Sequence, residues 1–115
     1  MITKETFMYD ADLDRLMIFN NLKSEEKVQG SVKIFNLVLD ITASNRIANV
    51  EIRNISEYLK SIGKDSSILD SMDSATIEIV NVRGGFLIQI SLSGAMGIEK
   101  IPYTIPTEER MLVSV

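Results

Sequence analysis

The sequence predicts an α+β fold that is mostly antiparallel β-sheet built from hairpins, with one or two short helices in mid-chain packed on it. Three observations predict it. Apolar and polar residues alternate through segments 37–42, 48–53, 75–79 and 86–92, the period of strands with one buried and one wet face. Clusters of turn-forming residues at 10–14, 43–46 and Gly84-Gly85 separate those segments. Between them, segment 55–62 changes to helical spacing.

The elements follow in chain order. Phe7 and Tyr9 share a face of a first strand, Leu16 to Phe19 is a compact apolar run, and the acidic turn 10–14 closes them into a hairpin. A polar loop, 20–27, contains Lys23-Ser24-Glu25-Glu26-Lys27, whose charges predict a solvated tip. Segment 28–34 reads as a strand interrupted by Gly30. Leu37, Leu39 and Ile41 then alternate with Val38, Asp40 and Thr42. After the turn Ala43-Ser44-Asn45-Arg46, Ala48, Val50 and Ile52 alternate with Asn49, Glu51 and Arg53, which makes a second hairpin.

Asn54 begins the helix in this reading. Its side chain is placed to accept from first-turn amides while Glu57, three residues on, reaches back, as in a capping box. Ile55, Leu59 and Ile62 form the apolar stripe, Tyr58 widens it, and Gly63 supplies the left-handed residue that ends it. A further helical turn over 66–72 points Ile68, Leu69 and Met72 inward. The rest returns to strand, with Ala75, Ile77 and Ile79 facing Phe86, Ile88, Ile90 and Leu92 across the Gly84-Gly85 reversal. Ile101, Tyr103 and Ile105 share a face of the last strand, and Pro102, lacking an amide, predicts that it lies at a sheet edge. Thr107-Glu108-Glu109 is placed to cap a last helical turn.

Composition bounds the function. With 115 residues, 45% of them hydrophobic and 24% charged, the chain is a folded globular protein, and one domain, 1–115, is expected. It contains no histidine, no cysteine and no tryptophan, so the commonest general base, the usual thiolate nucleophile and the commonest metal ligand are missing. The net charge of -4 and a pI near 4.8 disfavour nonspecific binding to nucleic acid or anionic lipid. The segment 1–5 has no basic region followed by an apolar stretch, and no apolar run approaches the ~20 residues that span a bilayer. The expectation is a cytoplasmic protein with no nucleic acid or membrane partner. No repeat of fixed period is present, which excludes solenoids and propellers.

The segment Tyr9-Asp10-Ala11-Asp12-Leu13-Asp14-Arg15-Leu16-Met17-Ile18 resembles the opening of domain-of-unknown-function family 2283, a tyrosine-aspartate acidic turn followed by an apolar strand. Val38-Leu39-Asp40, Asn45-Arg46-Ile47, Val50-Glu51-Ile52 and Asn54-Ile55-Ser56 are similar to that family's second hairpin and its entry into a helix. The family usually has glycine where Asn45 and Asn49 stand, and asparagine at 45 suits a left-handed turn. The resemblance covers roughly the first half, 1–63. It implies a compact β-rich α+β domain and no activity. The hairpin and edge strand of 74–115 lie outside it, as an extension of one sheet or a second half-layer.

Asp10, Asp12 and Asp14 fall where the first three ligands of an EF-hand loop fall, but Arg15 replaces the glycine and Asn21 the bidentate glutamate. A self-bonded turn is therefore expected there. Asp40 and Glu51 sit on facing strands, as paired carboxylates do in acid/base sites, yet alternation places both on the polar face. Gly84-Gly85 lies between strands, so it predicts a hairpin and not a phosphate loop. Gly94 and Gly97 flank Met96 in a loop able to shape a small mouth. Tyr9, Tyr58 and Tyr103 read as core edges with wet hydroxyls. The apolar stretch 111–115 predicts burial, as a final strand of its own sheet or by pairing with another copy or protein.

No catalytic, cofactor-binding or metal-binding residue is assigned by this reading. Its leading functional expectation is a noncatalytic interaction or structural module that self-associates through a sheet edge, as a homo-oligomer or with a protein partner. The alternatives are a small-ligand binder with an apolar pocket between the sheet and helix 55–62, and a carboxylate-based enzyme.

Overall fold

A computed structural model of the chain describes residues 7–20, 25–95, 97–107 and 113–114. The fold is α+β, with a five-stranded and a three-stranded antiparallel sheet. The first sheet contains β1 (Phe7–Asp10), β2 (Arg15–Phe19), β3 (Val28–Ile34), β4 (Leu37–Thr42) and β5 (Ile47–Arg53), in the order β1-β2-β5-β4-β3. The helix α1 (Ile55–Ser61) and a 3-10 turn, Ser66–Asp70, lead to the second sheet. That sheet is a meander of β6 (Met72–Val82), β7 (Gly85–Gly94) and β8 (Gly97–Pro106). The second half of the chain is thus a separate layer. No helix among the described residues is long and apolar enough to cross a membrane.

Alternation decides which faces meet. Leu37, Leu39, Val50 and Ile52 of the first sheet and Phe86, Ile88, Ile90, Leu92, Ile101 and Ile105 of the second are buried together in one apolar cluster, with Ile55 and Leu59 of α1. Burial of each such side chain contributes about 1.5–3 kcal/mol, so these inward rows hold the two layers together. Pro102 lies on the edge strand β8, as the missing amide requires. At Gly85 a Cβ would overlap the carbonyl oxygen of Ile105 on that strand, so glycine is needed for the close approach of β7 and β8.

Several local expectations are corrected. The inward row of β5 is not 48, 50 and 52 alone: Ile47 and Ala48 are both fully buried, because the register shifts between Asp40 and Ile41 and leaves Ala48 bulged. Asn20 supports that bulge, its backbone amide donating to the Ala48 carbonyl at 2.8 Å and its Nδ2 to the Ile47 carbonyl at 3.0 Å. Ile62 is not core. It is 37% exposed, one residue past the end of the helix. Nor is Glu26 part of a solvated tip, since both its oxygens accept from the Arg46 guanidinium, with an Nη2–Oε1 distance of 2.6 Å and both side chains 11% exposed. Helix α1 ends as expected, with Gly63 at φ 76, its amide donating to Lys60 and the Lys64 amide donating to Leu59.

The cap of α1 is also corrected. Asn54 itself takes a left-handed conformation, φ 52 and ψ 44, and its side chain makes no capping hydrogen bond. With its backbone turned that way, the side chain cannot return over the first turn as a capping box requires. Asp14, from the first hairpin, takes the role instead. Its carboxylate accepts from the Ser56 amide at 3.1 and 3.2 Å and from the Ser56 hydroxyl at 2.7 Å, and its carbonyl accepts from the Ile55 amide at 3.1 Å.

Of the helical turn expected at 107–109, Thr107 is described, its amide donating to the Gly84 carbonyl at 2.9 Å. Residues 108–109, the loop tip at 23–24 and Met96 lie outside the described residues, while Gly94 and Gly97 pair at the ends of β7 and β8. Of 111–115, Val113 and Ser114 are described.

Candidate functional site

The acidic turn expected to bond itself does so at its start. Asp10 Oδ1 accepts from the amides of Asp12 at 3.0 Å and Leu13 at 3.1 Å, which closes the chain reversal from β1 into β2. Asp14 ends the turn at φ 52 and faces the helix. Tyr9 donates its hydroxyl to Asp14 Oδ1 at 3.0 Å. Partial burial pushes the Tyr9 phenol up to about 12, reinforced by that bond and by the charges of Asp14, Asp70 and Asp10. Burial pushes the Asp14 carboxyl upward too, but the donors of Ser56, Tyr9 and Glu57 outweigh it and hold the group below 3.8.

A cleft of about 540 Å³ opens beside this hairpin, floored by Phe7, Leu69 and Met72 and rimmed by Asp10, Asp12 and Asp70. The three turn aspartates do not converge. Asp10 is bonded to its own turn and Asp14 to the helix. Among the described residues no group of three or more Asp, Glu, His or Cys side chains is placed to hold a metal ion. Tyr9 keeps its proton at neutral pH and directs it at Asp14, so it offers no base toward the cleft.

Asp40 and Glu51 are likewise kept apart by register, Asp40 lying opposite Asn49 and Glu51 opposite Val38. Asp40 accepts from the Ser31 hydroxyl at 2.6 Å and from Asn49 at 3.3 Å, while Glu51 pairs with Arg15 at 3.6 Å and Arg53 at 3.4 Å. Each carboxylate is satisfied separately, and the two do not form an acid/base pair. Between sheet and helix, where the sequence reading placed an apolar pocket, Ile55 and Leu59 are fully buried. The Gly84-Gly85 segment closes the β6–β7 hairpin, as its place between strands predicts.

The tyrosines are corrected as well. Tyr103 is 7% exposed and donates to Asn36 Oδ1 at 3.1 Å, and burial pushes its phenol upward. Asn36 in turn donates to the Arg53 carbonyl at 2.9 Å. Tyr58 stacks on Tyr103 with centroids 5.4 Å apart, and Phe35, 75% exposed, tilts over Tyr58 at 5.9 Å. The hydroxyls of Tyr9 and Tyr103 each have a protein partner, Asp14 and Asn36.

The sheet edges differ in how open they are. β1 has four residues, β3 carries a register shift after Val28 and Lys33 on its course, and β8 carries Pro102 and Pro106, all features that discourage further strand pairing. β6 has eleven residues and pairs along one side with β7. Its outward face carries Val80, 56% exposed, and Val82, 43% exposed, beside Leu87 of β7, 38% exposed. On its inward face Ile77 and Ile79 pack on the core yet stay partly open. Sequence reading did not single out this edge. The signal was the run Val80-Asn81-Val82, where apolar residues move onto the wet face.

The fold and these surfaces define a two-layer, β-rich α+β protein. No family model, curated protein or solved structure matches the chain.

Proposed function

We propose that this protein is a noncatalytic, cytoplasmic interaction module that self-associates through the β6 edge. The observation that carries this reading is an eleven-residue strand that pairs with β7 along one side and, among the described residues, with no strand along the other, with exposed valines on one face and half-buried isoleucines on the other. Two copies of β6 running antiparallel about a two-fold axis would join their sheets into one. The pairing would add main-chain hydrogen bonds along residues 77–82 and cover Ile77 and Ile79 from the side. Missing histidine and cysteine and the separation of Asp40 from Glu51 support a role without catalysis.

Sedimentation velocity tests it. The protein is expected to be a dimer at high micromolar concentration, and Val80→Lys to be a monomer with an unchanged melting temperature, because Val80 is more than half exposed and lysine on an edge opposes pairing. A monomeric parent protein, or a variant that dimerises equally well, would refute the proposal.

A further inference from the structure

Residues 113–114 sit in a slot between the two sheets. Val113 is 3% exposed within the common core. Its amide donates to Asn81 Oδ1 at 3.0 Å and its carbonyl accepts from Asn81 Nδ2 at 2.9 Å, so one side-chain amide stands in for the backbone of a neighbouring strand. On the other side the Ser114 amide donates to the Asn45 carbonyl at 3.0 Å, and the Ile47 amide donates to the Ser114 carbonyl at 2.8 Å. Arg46 and Ser114 thereby form a parallel bridge. Asn81 belongs to β6 and Ile47 to β5, so the two residues strap one layer to the other.

Every hydrogen bond in this set reaches main-chain atoms of the strap, and its one buried side chain is a small β-branched one. That is the chemistry of a strand-type peptide receptor, with main-chain bonds for affinity and a single pocket for selectivity. We propose that the slot is an exchangeable peptide site: it holds residues 113–114 of its own chain and takes the same segment from a second copy when its own is withdrawn. A second copy carries the matching valine and main chain by construction. Asn81 lies on β6, but this inference does not rest on pairing through the edge of that strand.

The test is a fluorescent, terminally blocked peptide spanning residues 108–115, titrated into the full-length Val113→Asp variant, whose own strap cannot bury its side chain. Saturable binding is expected, at least about tenfold tighter than to the parent protein, where the attached strap competes at high effective concentration. Adding Asn81→Ala should weaken binding about tenfold or more through the two lost hydrogen bonds, whereas Val80→Lys should leave it unchanged. A folded Val113→Asp variant that fails to bind overturns the proposal. If circular dichroism shows that variant unfolded, hydrogen exchange of the parent protein decides. Exchange of the Ile47 amide by local opening, faster than the best protected amides of β5, upholds a separable strap, and exchange only by global unfolding refutes it.

Discussion

Removing the Asp14 carboxylate should uncap α1 from 42 residues away in sequence. Four donors act on it: the Ser56 amide, the Ser56 hydroxyl, the Tyr9 hydroxyl and the Glu57 amide. Asparagine at 14 keeps one acceptor oxygen and tolerates φ 52, so Asp14→Asn loses chiefly the charge that strengthens those bonds, about 1 kcal/mol. Alanine removes every acceptor and also strains a left-handed position, which together costs about 3 kcal/mol. For a domain of this size each kcal/mol moves Tm by about 4 °C. Calorimetry should therefore find Asp14→Asn lower by about 4 °C and Asp14→Ala lower by about 12 °C. The pH dependence has a definite sign. Because the folded-state group lies below 3.8, its contribution is present above that value and is lost as pH falls through the folded pKa. The gap between the parent protein and Asp14→Asn should close in that acidic window. Equal melting of Asp14→Ala and the parent at pH 7 would refute the capping role, and a gap indifferent to acid would refute the charge.

Two further outcomes follow from local geometry. Asn54→Gly should be neutral or stabilising by up to about 1 kcal/mol, because glycine relieves the left-handed backbone and the asparagine side chain caps nothing; a clear fall in the urea midpoint would show that the side chain does hold the helix. Tyr103→Phe should cost about 1–2 kcal/mol by leaving Asn36 Oδ1 short of its buried donor, while the stacked ring stays in place. An unchanged denaturation midpoint would contradict that bond.

The rows 37–39 and 86–92 were legible because period-2 alternation directly encodes which side chains are buried, and Leu37, Leu39, Phe86, Ile88, Ile90 and Leu92 are all fully buried. Asn45 at φ 60 and Gly63 at φ 76 were legible because few residues tolerate that backbone. The Asp14 cap was not, since it joins residues 42 apart and depends on β2 pairing with β5. Neither was the Tyr103–Asn36 bond, which spans 67 positions and two sheets, nor the Glu26–Arg46 pair, hidden in a charge run that reads as solvated. The bulge at Ala48 did leave a trace, two adjacent apolar residues breaking the alternation. Asn81 left one as well, the single polar residue that ends the inward row of 75, 77 and 79.

Arg15 lies opposite Arg53 in the register of β2 and β5, so Asp14 and Asn54 meet only once those strands have found each other. A helix of seven residues is too short to persist in water alone. Its order is therefore borrowed from the sheet: loosening β2 from β5 carries the helix cap away in the same event. Sheet and helix should melt together, coupled through the Asp14 carboxylate and carbonyl and through the buried Ile55 and Leu59.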